Sequence, residues 1–360
     1  MMFPYVVADI GGTNARYGLV TGEQNNIYDI SAQVTFNCSD FENFGDSLQA
    51  YFDHLDHTVF SDGQRNGKRS ELVKFACVAI AGPVSGDQVK MTNLNWVFSI
   101  ADVESRFGLQ KLEVINDFTA QACAINHLSE KDLLPIKSVS TSNECGLGNK
   151  AILGPGTGLG VAGLVKTPAG YFPVAGEGGH VDLAPRTEKE IQILQSLQQQ
   201  LGHVSAETLL CGPGLLSLYG EVVKLNGRAS KCTMPDEVTR NALAQSDEDC
   251  EEALSIFCAL LGSFAGNVAL TLGARGGVYL SGGILPQVRE FLMKSDFVNR
   301  FKSKGAMSGF VNDVSVSLIT HDQPALIGAA AWLTDCCDCF REDVKENEIT
   351  PAHYVVEKTA

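Results

Sequence analysis

The 360 residues predict an α/β protein of two domains built on mixed sheets, and three observations carry that prediction. The chain is 44% hydrophobic and only 19% charged, so it can bury a sizeable core, and its length fits two domains of roughly 100 to 200 residues each. Apolar runs of strand length alternate with helical patterns, the grammar of an α/β fold. At Ala151 the pattern of the opening starts again: an apolar run, a glycine-rich turn and a second apolar run.

Tyr5 to Ile10 is an apolar run ended by Gly11-Gly12, and Ala15 to Thr21 follows at hairpin distance, which predicts a hairpin turning on Gly-Gly-Thr-Asn. A third strand is expected over Asp29 to Phe36, a helix over Phe44 to Leu55 and a solvated polar loop over Ser61 to Ser70. Leu72 to Ile80 has the continuous apolarity of a buried strand, and Gln88 to Met91 and Leu112 to Ile115 are shorter strands on either side of a helix over Ile100 to Phe107. After a second hairpin, Ala151 to Leu153 with Val161 to Lys166, an amphipathic helix is expected over Thr187 to Leu201. Its buried face would carry Ile191, Leu194, Leu197 and Leu201, with Thr187 as N-cap and Glu190 at capping-box spacing. Helices then run to Gly273. Gly277 to Leu280 is a strand closed by Ser281-Gly282-Gly283, and a helix starts near Pro286, since proline suits a first helical position. Val314 to Thr320 is the last strand, Pro324 to Leu333 the terminal helix, and the tail after Asp335 is polar.

Lys plus Arg number 27 against 42 Asp plus Glu, a net charge of −15. Nucleic-acid binding relies on cationic side chains meeting phosphates, so no nucleic-acid partner is expected. The N-terminus lacks a basic segment and meets Asp9 before any apolar stretch of signal length. The longest apolar stretch, Phe257 to Ala274, carries Ser263, Asn267 and Thr271 among small residues, which suits a helix in a protein core rather than in a bilayer. The 11 cysteines are odd in number and irregular in spacing, unlike a secreted disulfide framework. A cytoplasmic location with no membrane partner is expected. Glycine accounts for 36 of the 360 residues, above the average of about 7%. The excess is clustered, which marks backbone that approaches something closely.

Asp9-Ile-Gly-Gly-Thr-Asn-Ala-Arg16 is the first cluster with chemical content. A carboxylate at a strand end can hold Mg²⁺ through water, and Gly11 and Gly12 let successive backbone N–H groups turn inward around a phosphate. Gly-Gly alone suits any tight hairpin; Asp9 before it and Thr13, Asn14 and Arg16 after it point to phosphate. Asn116 and Asp117 close a strand and open a helix, a position from which side chains project into a crevice, although taken alone they also suit a helix N-cap. Glu177 and His180 flank two glycines, and Glu207 follows Ser205 at a helix start. Carboxylates and an imidazole make charge-assisted hydrogen bonds to a polar ligand, and the glycine pair allows its close approach. Glu-x-x-His also occurs among helical metal ligands, but Gly178-Gly179 opposes a helix, and the bland alternative is a local salt link.

Other matches fail. Gly158-Leu-Gly-Val-Ala-Gly163 fits the dinucleotide pattern with Asp182 near the acidic position, yet strands rather than a helix are expected after it. Gly63 to Lys68 is one residue short of a Walker loop and continues into Arg69. Cys336, Cys337 and Cys339 lack a fourth zinc ligand at the usual spacing. His203 and Asp182 are assigned to structure.

Asp9 to Arg16 resembles the first phosphate loop of the superfamily of actin, heat-shock-protein ATPases and sugar kinases, Leu153 to Gly163 its second, and Ser281-Gly-Gly-Ile284 its adenosine segment. Met91-Thr-Asn-Leu-Asn-Trp96, Ile115-Asn-Asp117, Gly176-Glu-Gly-Gly-His180 and Val204-Ser-Ala-Glu207 together resemble the sugar site of bacterial-type glucokinases. The similarity covers roughly residues 5 to 333, and the ordered set is specific where no single member is. It implies a two-domain actin-like (ribonuclease-H-like) ATPase fold with an interdomain cleft, the smaller domain spanning 1–116 with about 322–360 and the larger 117–321. It implies transfer of the γ-phosphoryl of ATP to the 6-hydroxyl of glucose, with Mg²⁺. By the resemblance Asp117 is the general base, and Asn116, Asp117, Glu177, His180 and Glu207 bind glucose. Asp9, Gly11, Gly12, Thr13, Asn14, Gly156, Thr157, Gly158, Gly282 and Gly283 bind the nucleotide, with Asp9 acting on the metal through water. Such relatives are often homodimers, so a homodimer is an option here. The cysteine cluster departs from the Cys-x-Cys-Gly zinc motif of the related repressor and kinase group, which favours the glucokinase group without it. A sugar-binding regulator on the same fold would need a DNA-binding segment ahead of Asp9 and a more basic chain. A regulatory ATPase would leave Glu177, His180 and Glu207 without a use.

Overall fold

The computed structural model describes residues 3–60, 72–82, 84–92, 94–139 and 147–336. The loop expected over Ser61 to Ser70, the Gly63 to Lys68 match, Asn93 of the Met91 to Trp96 segment, Cys337 and Cys339 lie outside those residues. Strand Tyr5–Ile10 (β1) alternates its buried side chains: Val6, Ala8 and Ile10 enter one core, Tyr5 and Val7 another. It forms a hairpin with Asn14–Gln24 (β2), which pairs antiparallel with Ile27–Asn37 (β3). Helix Phe44–Thr58 (α1) covers this sheet through Phe44, Leu48, Tyr51, Phe52 and Leu55. Phe75–Ile80 (β4) adds in parallel to β1, a short ribbon of Gln88–Lys90 (β5) and Val97–Ser99 (β6) follows, and Ile100–Phe107 (α2) leads into Lys111–Asn116 (β7), parallel to β4. The order is β3-β2-β1-β4-β7. Ile10 lies opposite Ile80 and Ile80 opposite Asn116, so three parallel strands end in line and their loops gather at one edge.

The second sheet repeats this plan, as the restart at Ala151 predicts. Leu133–Lys137 (β8) is its edge. Lys150–Pro155 (β9), Leu159–Thr167 (β10) and Gly170–Val174 (β11) form an antiparallel meander, and Val278–Leu280 (β12) and Val316–Ile319 (β13) add in parallel to β9, giving β11-β10-β9-β12-β13-β8. The extended conformation after Gly158 removes the strand, loop and helix order that dinucleotide binding needs.

Asp117–Ala124 (α3) lies between the sheets. Its Ala120 and Cys123 enter the core shared with Tyr5 and Val7, whereas Ala122 and Ile125 just beyond it pack with Ile152, Ala162 and Leu164 of the second sheet. The intervening helices are Glu188–Leu201 (α4), Ala206–Leu209 (α5), Gly212–Leu225 (α6), Pro235–Leu243 (α7), Glu248–Leu272 (α8), Arg289–Lys294 (α9), Phe297–Lys302 (α10) and Ser308–Asn312 (α11), and the last helix is Pro324–Ala331 (α12). By length and composition α8 could cross a bilayer, but 78% of its apolar window is buried inside the protein.

Helix α12 returns to the first sheet, with Ala325, Leu326, Ala329 and Ala330 in the core of Tyr5 and Val7. It crosses α3 at Gly328, where a Cβ would fall inside the Ala120 carbonyl. Because the obstacle is backbone rather than a flexible side chain, Gly328→Ala is expected to destabilise the fold by about 1 to 3 kcal/mol despite alanine's better helix propensity. A urea titration checks this, and an unchanged midpoint would mean the crossing is loose.

Two expectations need correction. Helix α4 begins at the Thr187 capping box as anticipated, but Ile191 and Leu201 are 51% and 59% exposed, and its buried stripe is Glu190, Ile193 and Leu197. Glu190 turns the helix: its two oxygens accept from Arg300 Nη1 and Nη2 at 2.6 and 3.0 Å, and Arg300 Nε donates to Ser263 at 2.8 Å. A buried, bidentate ion pair of this kind overrides the apolar periodicity. Pro286 does not start a helix. Ile284 to Val288 forms tight turns, Gln287 N–H to Ile284 O and Val288 N–H to Leu285 O, which bury Leu285 and Val288 before α9 begins at Arg289.

Candidate active site

A cleft of about 670 Å³ opens where the aligned strand ends of the two sheets face each other. In such sheets ligands bind beyond the carboxyl ends of the strands. Gly11, Gly12, Asn116, Asp117, Gly156, Thr157, Gly158, Glu177, His180, Glu207 and Gly282 all line it. They come from six separate segments, and the register of the two sheets brings them together. Asp9, Thr13, Asn14 and Gly283 are not among its lining residues. Asp9 lies on β1; the Asn14 carbonyl closes the hairpin by accepting from Gly11 N–H at 3.0 Å, and the Thr13 carbonyl accepts from Cys38 N–H, just past β3, at 2.8 Å.

Asn116 lines the cleft and is also the N-cap of α3. Its Oδ1 caps α3 by accepting from the Phe118 and Thr119 N–H groups at 2.9 and 3.2 Å, and its amide donates to the Gly82 carbonyl at 3.3 Å. Asp117 follows at the first helical position, and one of its oxygens accepts from Phe118 N–H at 2.9 Å. Burial pushes its carboxyl up to about 6, the Asp9 and Glu177 charges add to this, and the bond from Phe118 opposes it. Burial also raises Asp9, against Arg16, whose Nη1 reaches Asp9 Oδ2 at 3.3 Å.

Glu177 and His180 bracket a single 3-10 turn, not an α-helix, in which His180 N–H donates to the Glu177 carbonyl at 3.0 Å. His180 Nε2 lies 3.8 Å from Glu207 Oε1, so a residue 27 positions on completes the group. Ser205 caps the short helix α5 that carries Glu207. Asp182 and His203 pair with each other at 3.6 Å on the exposed surface.

Sequence reasoning named no role for Gly82, Phe118 or Gln121, all of which line the cleft. Gly82 has φ +136°, and a Cβ there would stand 2.5 Å from Thr92 Oγ1; its signal was a glycine two residues past the end of a buried strand. The Phe118 ring occupies the space where Gly160 would carry a Cβ, and Gln121 meets Ser281 through their side-chain oxygens. These contacts pin α3 to both glycine-rich segments of the second sheet, and periodicity carries no trace of them.

The family model for glucokinases matches residues 6–336. The chain is 46% identical over 92% of its length to a glucokinase of Saccharophagus degradans, of which it covers 98%. The crystal structure of a glucokinase from an Antarctic psychrotroph is 38% identical, with a TM-score of 0.81, over 92% of this chain and 99% of that one. A glucokinase of the repressor-related family from Streptomyces griseus, solved in complex with glucose and AMPPNP, is 17% identical with a TM-score of 0.58 over 91% of this chain and 98% of that one. At that distance the likeness concerns the fold, which is the two-domain actin-like ATPase architecture. The two sheets built on one plan, the cleft at their strand ends and these matches have one explanation: the chain belongs to the glucokinase family.

Proposed function

We infer that this chain is an ATP-dependent glucokinase, transferring the γ-phosphoryl of ATP to the 6-hydroxyl of glucose, and that Asp117 is its general base. The observation that carries the assignment is a carboxyl at the cleft wall held at about 6 by burial and by neighbouring carboxylates. Such a group is ionised at neutral pH yet basic enough to accept a hydroxyl proton in the transition state. Asn116, Glu177, His180 and Glu207 orient the sugar so that O6 faces Asp117. Gly11 and Gly156 close their loops, their N–H groups donating to the Asn14 and Gly158 carbonyls, which leaves the backbone N–H groups of Gly12, Thr157 and Gly158 to hold phosphates, and Gly282–Gly283 flank the adenosine. Most of the acceleration in phosphoryl transfer comes from positioning and electrostatics of this kind.

Mg²⁺ fits here only as a partner of the phosphates. Asp9 is a single carboxylate engaged with Arg16, and no cluster of three ligating side chains occurs among the described residues. Asp9 would hold the ion through water, and the ion would neutralise phosphate oxygens. The domains proposed are 1–116 with about 322–360 and 117–321, closing on each other about α3. Cys38, Cys211 and Cys258 are buried thiols, which suits the reducing cytoplasm; whether the enzyme works as a homodimer is read by light scattering.

A coupled assay of ATP with a panel of hexoses tests the activity, with glucose expected as a substrate and product phosphorylated at O6. His180→Ala should weaken glucose binding by about 1 to 3 kcal/mol, the cost of removing one partner from a polar contact, with ATP binding unchanged. Calorimetry showing unaltered glucose affinity would remove His180 from the sugar site.

A further inference from the structure

Glu207 touches both halves of the cleft. Its Oε2 accepts from the Leu159 N–H at 2.7 Å, the backbone donor directly after the second phosphate loop, while Oε1 faces His180 in the sugar loop. The carboxylate occupies the space beside Gly158, where a Cβ would stand 2.5 Å from Oε2. Around it, backbone bonds join the same segments: Ala206 N–H donates to the Val181 carbonyl at 2.8 Å, Gly212 N–H to the Gly156 carbonyl at 2.8 Å, and Val161 bridges to Glu177. Helix α5 is thus tied at its start to the sugar loop and just past its end to the phosphate loop, with Glu207 between the two ties.

We propose that Glu207 is a positioning residue for the nucleotide through Leu159, coupling glucose binding to the geometry of the second phosphate loop. This rests on the reading of Glu207 as a sugar-binding residue. The carboxylate has two oxygens with separate tasks: Oε2 is committed to the loop, and Oε1 is left for a sugar hydroxyl. The side chain is 31% exposed, so a sugar that takes Oε1 restricts it to the rotamer that also serves Leu159. The bond then holds Leu159, and with it the preceding Thr157 and Gly158 N–H groups, where a phosphate needs them. Linkage requires the reverse as well: nucleotide that orders the loop must tighten glucose by the same factor.

Three variants separate the tasks. Glu207→Gln keeps an oxygen that reaches Leu159 and loses the charge, Glu207→Asp keeps the charge but is one methylene too short, and Glu207→Ala removes both. The affinity of a non-hydrolysable ATP analogue with Mg²⁺ is measured by calorimetry with and without saturating glucose, and glucose affinity is measured separately. In the wild type, glucose should tighten the analogue about 5-fold or more. That coupling should vanish in Glu207→Ala and Glu207→Asp, with kcat reduced about 10- to 100-fold, and persist in Glu207→Gln even as its glucose affinity falls. Absent coupling in the wild type, retained coupling in Glu207→Ala, or loss in Glu207→Gln equal to that in Glu207→Ala overturns the proposal. Glucose affinity that is unchanged in all three variants instead overturns the placement of Glu207 in the sugar site, a separate readout. Circular dichroism confirms that each variant is folded, and the Gln and Asp variants carry the comparison if the Ala variant is not.

Discussion

Asp117→Asn lowers kcat about 10²- to 10⁴-fold, the range for losing a general base, while glucose still binds, because the amide keeps the shape of the side chain and an acceptor for Phe118 N–H. The same substitution should stabilise the protein at neutral pH. The Asp117 carboxyl titrates at about 6 in the folded chain against an ordinary value of 3.8. A raised folded value favours folding below the unfolded value and loses that contribution as pH climbs through 6, so above neutrality the ionised group is a burden on the fold. At 1.36 kcal/mol per pKa unit, and allowing for partial exposure, that burden is about 1 to 2 kcal/mol. Asp117→Asn should therefore gain about that much at pH 8 and nothing at pH 4. The wild-type rate should fall on the acid side with an apparent pKa of about 6, and the residual activity of the variant should lack this limb. Turnover near wild type, or a variant less stable at pH 8, would contradict the assignment.

Without sugar, ATP hydrolysis should run about 10³- to 10⁵-fold slower than transfer to glucose. Water is present in vast excess and differs little in reactivity from a sugar hydroxyl, and no pocket shape excludes so small a molecule. Discrimination must come from closure that glucose drives and water cannot. The chain has the parts for it: a cleft between two sheets, α3 packed against both, and a close crossing of α3 by α12 at Gly328. Xylose, which lacks the 6-hydroxymethyl group, should stimulate hydrolysis by closing the cleft around a water where O6 would sit. Phosphate release measured with no sugar, with xylose and with glucose decides this. Sugar-free hydrolysis as fast as transfer would mean that closure is not the gate.

What could be read from residues in order was local. The hairpin of β1 and β2 with its Gly-Gly-Thr-Asn turn, the restart at Ala151, the Thr187 capping box and the span of α2 follow from short-range sterics and hydrogen bonding, and they stand where the residues place them. The cleft residues were recognisable as a set through the resemblance of their ordered motifs to glucokinases, since glycine-rich turns and isolated acids read one at a time also suit hairpins, caps and salt links. Which face of α4 is buried was not legible, because a buried Arg300–Glu190 pair 110 residues apart outweighs a few apolar contacts. Nor were the raised Asp117 carboxyl, which needs Asp9 and Glu177 brought to it through space, or the bond from Leu159 N–H to Glu207 across 48 residues. Periodicity and capping act within a few residues, whereas desolvation and charge depend on which distant segments the sheet registers carry to the same edge, and only the tertiary structure decides that.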